Sequence, residues 1–239
     1  MESLPTYLKS NDCFAMEDTL DEYLAQVDFV SSSDLRSFRG NVGRRDGNAS
    51  IRMQIGAIFH RIMLEEDEDF QISAIGMKNS CFPEPLKLFT SYLTQTDYRH
   101  LKIARDKLNQ WSGELFRDWI HSGFTERSIY WKDQADYQWR VRPDIVTKGL
   151  VIDLKTFSGN NQKRFLKSLN RNGHLIQAAL YLEGIERLYG DPIGFAFLCI
   201  DLTSPYRIFL DVLDSKTLLF SKKLLANAKR DFKSHSSCD

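Results

Sequence analysis

The spacing of apolar residues predicts that the first half of the chain is mainly helical. Ile51, Ile55, Ile58 and Ile62 recur at helical spacing, so a helix with one buried face is expected over residues 50–64. A basic loop is expected at 40–48, where glycine and arginine are frequent. The other elements predicted in this half are helices at about 14–27, 86–94 and 98–121, and a short strand at 70–75.

The second half has a different character, because short β-branched and aromatic stretches alternate there with turn signals. Strands are predicted at 127–132, 137–146, 149–157, 193–201 and 206–213. Helices are predicted at 162–189, with a break near Asn172 and Gly173, and at 215–232. The whole pattern predicts a mixed α/β fold preceded by an N-terminal helical region.

Composition narrows the class of protein. The 239 residues are 42% hydrophobic and 27% charged, which fits one globular domain and excludes a disordered chain. The longest apolar stretch, 193–200, is too short to span a bilayer, and the opening MESLPTYLKSND is too polar for a signal segment. The four cysteines form no C-x-x-C pair, which argues against a zinc ribbon or a disulfide framework. We therefore expect a cytoplasmic protein without a membrane attachment.

The net charge is zero, but the charges are unevenly distributed. Residues 1–69 hold 14 acidic and 7 basic residues, and this region is either a subunit or partner surface or a solvated helical face. Residues 155–182 hold basic but no acidic side chains, so they either contact a phosphate backbone or form another solvated face. The candidate substrate-binding residues of this stretch are Lys163, Arg164, Lys167 and Arg171.

Candidate chemistry appears at a predicted hairpin over residues 140–157. Asp144 is expected to end one strand, while Asp153 and Lys155 lie two residues apart on the next strand and so face the same side. Two carboxylates about 4 Å apart repel by roughly 4 kcal/mol at an effective dielectric constant of 20, and a divalent cation would relieve this repulsion. Oxygen ligands suit Mg²⁺, with Mn²⁺ able to substitute. The alternative is an ordinary exposed ion pair on a surface hairpin.

Other polar residues strengthen this hypothesis. His60 lies off the isoleucine stripe of its helix, one turn after Gly56, and is either a metal ligand or a half-buried histidine. Gln177 and Tyr181 are spaced i, i+4 on a helix, where they either position a phosphate or sugar or form a partly exposed polar face. Glu126 is a possible accessory residue, although a solvated charge at the start of a strand is the favoured interpretation.

Taken in order, these residues resemble the PD-(D/E)xK nuclease superfamily, most closely the nuclease domain of RecE/exonuclease VIII. The resemblance rests on the segments IGAIFH (55–60), ERSIYWKD (126–133), VRPDIV (141–146), VIDLKT (151–156) and HLIQAALYLEG (174–184). It implies that Asp144, Asp153 and the backbone carbonyl of Leu154 bind metal. It further implies that His60 joins them, that Lys155 is catalytic, and that Gln177 and Tyr181 belong to the helix motif after the lysine.

The resemblance also implies an architecture. It implies a single domain over residues 1–239 with a restriction-endonuclease-like core, in which a central mixed β-sheet is flanked by helices, and the number of strands predicted above agrees with this. We divide this domain into an acidic helical extension (1–30), the nuclease core (31–213), and a basic C-terminal helix and tail (214–239). An iron–sulfur cluster, found in some related nucleases, is not expected, because Cys199 and Cys238 do not supply the late cysteine group it needs.

The implied activity is Mg²⁺-dependent exonuclease digestion of linear duplex DNA in the 5′-to-3′ direction, in recombination of phage or mobile-element type. The implied partners are duplex DNA ends, further copies of the chain in a ring, and a single-strand annealing protein. Two alternatives remain open. One is a structure-specific or restriction-type endonuclease on the same fold, and the other is a non-catalytic DNA-binding protein.

Overall fold

The computed structural model describes residues 13–38, 51–64, 95–158, 161–190 and 193–236. Its strands are β1 (Cys13–Met16), β2 (Phe124–Thr125), β3 (Ser128–Lys132), β4 (Gln138–Val141), β5 (Ile145–Thr147), β6 (Leu150–Phe157), β7 (Gly194–Asp201) and β8 (Ile208–Val212). Its helices are α1 (Leu20–Ala25), α2 (Ser32–Phe38), α3 (Ile51–Leu64), α4 (Gln95–Ser112), α5 (Leu115–Ser122), α6 (Gln162–Arg171), α7 (His174–Tyr189) and α8 (Ser215–Ser236). The loop at 40–48, the strand at 70–75 and the helix at 86–94, all predicted from sequence, lie outside the described residues.

The described strands form two sheets. The larger sheet has the order β2-β5-β6-β7-β8 and is mixed, because β6 and β7 run parallel while its other neighbouring pairs are antiparallel. The crossover from β6 to β7 contains α6 and α7, as a parallel pair requires. The smaller sheet has the antiparallel order β1-β3-β4. The predicted fold class, a central mixed sheet flanked by helices, is confirmed.

Three predicted elements differ from the structure. The strand predicted at 137–146 is two strands in different sheets, β4 and β5, and they are separated near Pro143, which has no N–H for strand pairing. The helix predicted at 98–121 is divided into α4 and α5 at Gly113, whose φ of 56° lies in the left-handed region.

The third difference lies near the N-terminus, where a helix was predicted at 14–27. Residues Cys13–Met16 form β1, which pairs with β3, and only Leu20–Ala25 are helical. Thr19 caps this short helix, because its hydroxyl accepts from the Glu22 N–H while the Glu22 carboxylate accepts from the Thr19 N–H. The edge of β3, distant in sequence, therefore decides the conformation of residues 13–16.

Apolar residues cover both faces of the larger sheet. On one face, Ile152 and Leu154 of β6 pack in a cluster with α3 and α4. On the other face, Phe195 and Phe197 of β7 pack in a cluster that includes α7 and part of α8. The alternation along β6 agrees with the sequence prediction, since Ile152 and Leu154 point away from the side that carries Asp153. In the described ranges, no helix combines the length and apolar character that a membrane crossing needs.

Asp133 joins the β3–β4 turn to α8, and this contact makes stability depend on pH. Its carboxylate accepts from Trp139 Nε1 at 3.0 Å and from Lys233 Nζ at 2.5 Å. Burial alone would raise the pKa of Asp133, but the bonds from Lys233 and Trp139 outweigh burial and lower this pKa. The lowered pKa means that the stabilisation is present above the unfolded-state pKa of about 4 and is lost as pH falls through the folded-state value.

We expect Asp133→Asn to reduce the free energy of unfolding by about 2 kcal/mol at neutral pH, because bonds to a charged acceptor are lost. The difference from the parent chain should narrow as pH falls below about 4. Urea denaturation over a pH series measures this. Asp118→Asn, at an exposed position on α5, is the matched control. If the difference in unfolding free energy stayed constant as the pH falls below about 4, the stabilisation would not come from the charged Asp133 carboxylate.

Candidate metal centre

The β5–β6 hairpin brings two aspartates together at one end. Ile145 pairs with Ile152, so Asp144, the residue before β5, lies opposite Asp153. The Leu154 N–H donates to Asp144 Oδ2 at 2.6 Å. Because the N–H and C=O of one strand residue point to the same edge, the Leu154 carbonyl also faces that edge. The expected meeting of Asp144 and Asp153 is observed, although Asp144 precedes a strand and does not end one.

His60 approaches this edge from α3. Its Nδ1 lies 3.4 Å from Asp144 Oδ2. Gly56, one turn earlier, allows the approach, because a Cβ atom there would lie 2.8 Å from Thr156 Oγ1 of β6. The helix face that carries Gly56 and His60 therefore lies directly against the Thr156 side chain of β6.

Glu126 completes a group of possible metal ligands. Ligand atoms of His60, Glu126 and Asp144 lie within 4.8 Å of one another. Glu126 has a φ of 49°, and its N–H donates to the Asp144 carbonyl at 3.2 Å, so the backbone fixes its position beside the hairpin. The interpretation of Glu126 as a solvated charge is wrong, because its side chain is mostly buried and ion-paired.

Asp153 is the most enclosed acidic group of the site. Its side chain is buried, with Oδ2 lying 2.5 Å from Lys155 Nζ and Oδ1 accepting from Gln177 Nε2 at 3.1 Å. Gln177 Nε2 also donates to the Tyr181 hydroxyl at 2.9 Å. Both side chains of the predicted i, i+4 pair are thus buried within the site, and the interpretation of a partly exposed polar face is wrong.

Burial and the neighbouring charges shift the pKa values of these groups. Burial raises the pKa of Asp153 to about 6, although Lys155 opposes the rise. Burial would also raise the pKa of Asp144, but the nearby His60 and Lys155 outweigh burial and lower it. Burial, and then the Asp144 charge, raise the pKa of Glu126 to about 7. The Asp144 charge thus adds to burial in raising the pKa values of Asp153 and Glu126, so the three carboxylates repel one another.

The donor set fits a divalent metal ion. Carboxylate oxygens, a backbone carbonyl and one imidazole are ligands that Mg²⁺ or Mn²⁺ accept in proteins. Asp153 Oδ2 is buried and, within the described part of the chain, no donor meets it in hydrogen-bond geometry, although the Lys155 ammonium is close. A cation would satisfy this oxygen and reduce the repulsion among the carboxylates. His60, Glu126, Asp144 and Asp153 are therefore the residues that could hold a metal.

Sequence reasoning missed two residues that support Glu126. Arg142 Nε donates to Glu126 Oε2 at 2.8 Å, and Arg142 Nη1 donates to Asp18 Oδ1 at 2.6 Å. The side chains of Arg142 and Asp18 are only 10% and 4% exposed. Arg142 could have been identified from the sequence, because it lies two residues before Asp144. Nothing in the sequence near Asp18 indicates its role, because Asp18 lies 124 residues from Arg142 along the chain.

A second supporting group lies at the start of α7. His174 Nδ1 is 3.1 Å from Gln177 Oε1 and 3.2 Å from an Arg36 guanidinium nitrogen. Burial, and then the charges of Lys155 and Arg36, lower the pKa of His174, so the imidazole is neutral. Gly173 has a φ of 74°, and a Cβ there would lie 2.8 Å from the Arg36 side chain. Glycine thus permits Arg36 to lie across the start of this helix.

The four basic candidates lie apart from the carboxylates. Lys163, Arg164, Lys167 and Arg171 are all exposed on α6. The opposite side of α6 packs its apolar residues, including Leu169, against the core. Among the described residues, no contact joins any of the four to Asp144 or Asp153. The structure therefore brings together the predicted metal and catalytic residues, but places the basic residues on a neighbouring surface.

Comparisons with known proteins agree with this geometry. Residues 38–231 match the family model described as PDDEXK-like domain of unknown function (DUF3799). A solved structure from Eubacterium rectale, described as "Putative exonuclease", is similar to the chain with a TM-score of 0.66 and 15% identity, over 91% of this chain and 86% of that one. The structure of SSO0001 aligns with a TM-score of 0.29 and 12% identity over 86% of each chain, which is too weak to support an argument. No curated protein matches the sequence.

Proposed function

The chain belongs to a family of PDDEXK-like domains of unknown function, and we propose that it is a metal-dependent nuclease that hydrolyses phosphodiester bonds of DNA. One observation carries the proposal. Asp144 and Asp153 meet at the end of a hairpin with Lys155 Nζ 2.5 Å from Asp153, and His60 and Glu126 stand beside them. Burying two neighbouring carboxylates costs stability, and such clusters with a nearby amine are typical of catalytic sites that hydrolyse phosphodiesters with a bound metal.

The residues of the site have distinct proposed roles. A divalent cation, when bound, lowers the pKa of a water molecule and polarises a phosphoryl oxygen. Asp144 and Asp153, with His60 and the Leu154 carbonyl, hold that cation, and Glu126 is an accessory ligand. Lys155 orients the attacking water and offsets the negative charge that develops on the phosphoryl group. Gln177 fixes the Asp153 carboxylate by donating to Oδ1, and Tyr181 in turn holds Gln177.

We further propose the finer activity that the sequence resemblance implies. The enzyme is a Mg²⁺-dependent exonuclease of the RecE type, acts on linear duplex DNA from the 5′ end, and serves recombination of phage or mobile-element type. Support comes from the ordered motifs and from the exonuclease description of the Eubacterium rectale structure. A ring of identical subunits and a single-strand annealing protein as partner belong to the same proposal.

A metal titration on labelled DNA tests the activity. The full chain is incubated with linear duplex labelled at the 5′ or 3′ end, and with a covalently closed circle, over a range of Mg²⁺ and Mn²⁺ concentrations. We expect nucleotides to be released from the linear duplex only when metal is present, with the 5′ label lost first. The closed circle should stay intact.

Other results would replace part or all of the proposal. Nicking of the closed circle would assign an endonuclease on the same fold. Early release of the 3′ label would reverse the polarity. DNA binding that weakens with salt, without any metal-dependent product, would assign a non-catalytic binding protein.

We expect the exposed basic residues of α6 to contact phosphates. Reversal of Lys163, Arg164 and Lys167 to glutamate should flatten the dependence of DNA affinity on salt by about one unit of slope for each lost contact. Fluorescence anisotropy in a Lys155→Ala background, which prevents digestion, measures this slope. Reversal of Arg99, Lys102 and Lys107 on α4 is the matched control. An unchanged slope would remove α6 from the DNA interface.

A further inference from the structure

A cleft of about 410 Å³ lies beside the candidate metal centre, on the sheet face that carries Asp153. Its walls come from α6, the start of α7, strands β7 and β8, and the first turns of α8. The register aligns Asp153, Phe197 and Asp211 in one row across three neighbouring strands. Asp211 in the cleft wall is therefore about two strand spacings, roughly 10 Å, from Asp153.

The cleft is apolar at its base and at its rim. Leu169, Leu175 and Phe197 are buried and form the base. At the rim, Val212 is 58% exposed and Phe220 is 46% exposed. Large apolar side chains that remain exposed around an apolar depression are typical of an interaction surface. The volume is sufficient for a small group of apolar side chains from a ligand.

Two carboxylates give the cleft its charge. Asp214 caps the start of α8, because its carboxylate accepts a hydrogen bond from the Thr217 N–H at 2.8 Å. Asp211 is partly buried, and no cation among the described residues pairs with it. Other acidic groups that are also partly buried are paired, as Asp18 is with Arg142 and Glu183 is with Lys229. A partly buried carboxylate without a partner favours a ligand that brings a positive charge.

From this arrangement we propose that the cleft docks a short segment of a partner protein that presents an apolar side chain next to a lysine or arginine. The apolar side chain fills the base over Phe197, and the basic group pairs with Asp211. A nucleic acid is disfavoured, because both charged groups of the cleft would repel phosphates. The exposed rim residues extend the contact beyond the cavity, which favours a segment of chain over a small molecule.

A docked partner would lie next to the candidate metal centre because of the position of the cleft. Leu175 in its base is the neighbour of His174, whose ring lies 6.5 Å from that of Phe197. A partner segment held there is placed against the helix that also carries Gln177 and Tyr181. The partner is thus recruited beside the catalytic residues without occupying them.

A displayed library of random short peptides, selected against the full chain, tests this inference. We expect the selected sequences to combine an aromatic or aliphatic residue with a neighbouring lysine or arginine. For a synthetic peptide of that sequence, Asp211→Asn should weaken the affinity about tenfold, and Phe220→Ser by a similar factor. The matched controls are Asp118→Asn and Leu115→Ser, exposed positions on α5, which should change the affinity less than about twofold.

A double-mutant cycle locates the charge pair. Replacing the basic residue of the peptide with norleucine should weaken binding to the parent chain, but should have little further effect on Asp211→Asn. Circular dichroism verifies that each variant is folded. Selected peptides that bind equally well to Asp211→Asn and Phe220→Ser would overturn the inference. It would also be overturned if these variants weakened the affinity for duplex DNA while no peptide bound.

Discussion

Lys155→Ala and Asp153→Asn are each expected to reduce digestion of linear duplex DNA by about a hundredfold to a thousandfold. Lys155→Ala removes the amine that we propose offsets charge on the phosphoryl group, and losses of this size follow when one such donor is removed. Asp153→Asn removes a proposed metal ligand and the carboxylate that lies 2.5 Å from Lys155 Nζ. Release of labelled nucleotide under saturating metal measures both effects.

Controls are needed to show that the loss of digestion reflects a loss of catalysis and not unfolding of the variants. Lys148→Ala is the matched control, because Lys148 is an exposed lysine in the turn of the same hairpin. It should digest DNA at the parent rate. The two site variants should keep the parent circular dichroism spectrum and should still bind duplex DNA. Digestion near the parent rate in either variant would show that these residues are not catalytic.

Arg142→Met is expected to produce the largest loss of stability, about 3–5 kcal/mol in the free energy of unfolding. The substitution removes the cation shared by Asp18 and Glu126, which lie 2.6 and 2.8 Å from the guanidinium. The Asp18 carboxylate then remains buried and charged without a positive partner, which is the costly situation for an ion. Urea denaturation monitored by circular dichroism measures the change.

An exposed ion pair supplies the comparison for Arg142. Arg105 lies 3.1 Å from Asp106 at the surface, so Arg105→Met should cost less than about 1 kcal/mol. A second variant identifies the cause of the Arg142 effect. Adding Asp18→Asn to Arg142→Met should recover part of the lost stability, because the unpaired buried charge is removed. If Arg142→Met lost as little stability as Arg105→Met, the ion pairs of Arg142 would not be an important source of stability.

The sequence alone predicts the relative positions of site residues that lie close together along the chain. Asp153 and Lys155 are two apart on one strand, and Gln177 and Tyr181 are four apart on one helix, so local periodicity places each pair correctly. The hairpin turn between β5 and β6 brought Asp144 to Asp153 by the same reasoning. These predictions needed no knowledge of distant contacts.

Contacts between distant segments were not predictable in this way. Glu126 was interpreted as a solvated charge because nothing in its neighbourhood indicates that β2 pairs with β5 and turns it towards Asp144. Asp18 lies in a segment whose acidic pattern suggested a continuous helix, while its role depends on Arg142 and on pairing of β1 with β3. In both cases tertiary structure overrode the local preference.

The pairing of β1 with β3 limits how far the chain can be shortened at its N-terminus without disturbing the candidate site. A fragment limited to the predicted core, residues 31–213, would contain every proposed metal ligand and the proposed catalytic lysine. It would nevertheless leave one edge of β3 without its partner strand, and Arg142 without Asp18. Because Asp18 lies just after β1 and binds Arg142, which in turn positions Glu126, this N-terminal segment supports the candidate metal centre from outside the predicted core.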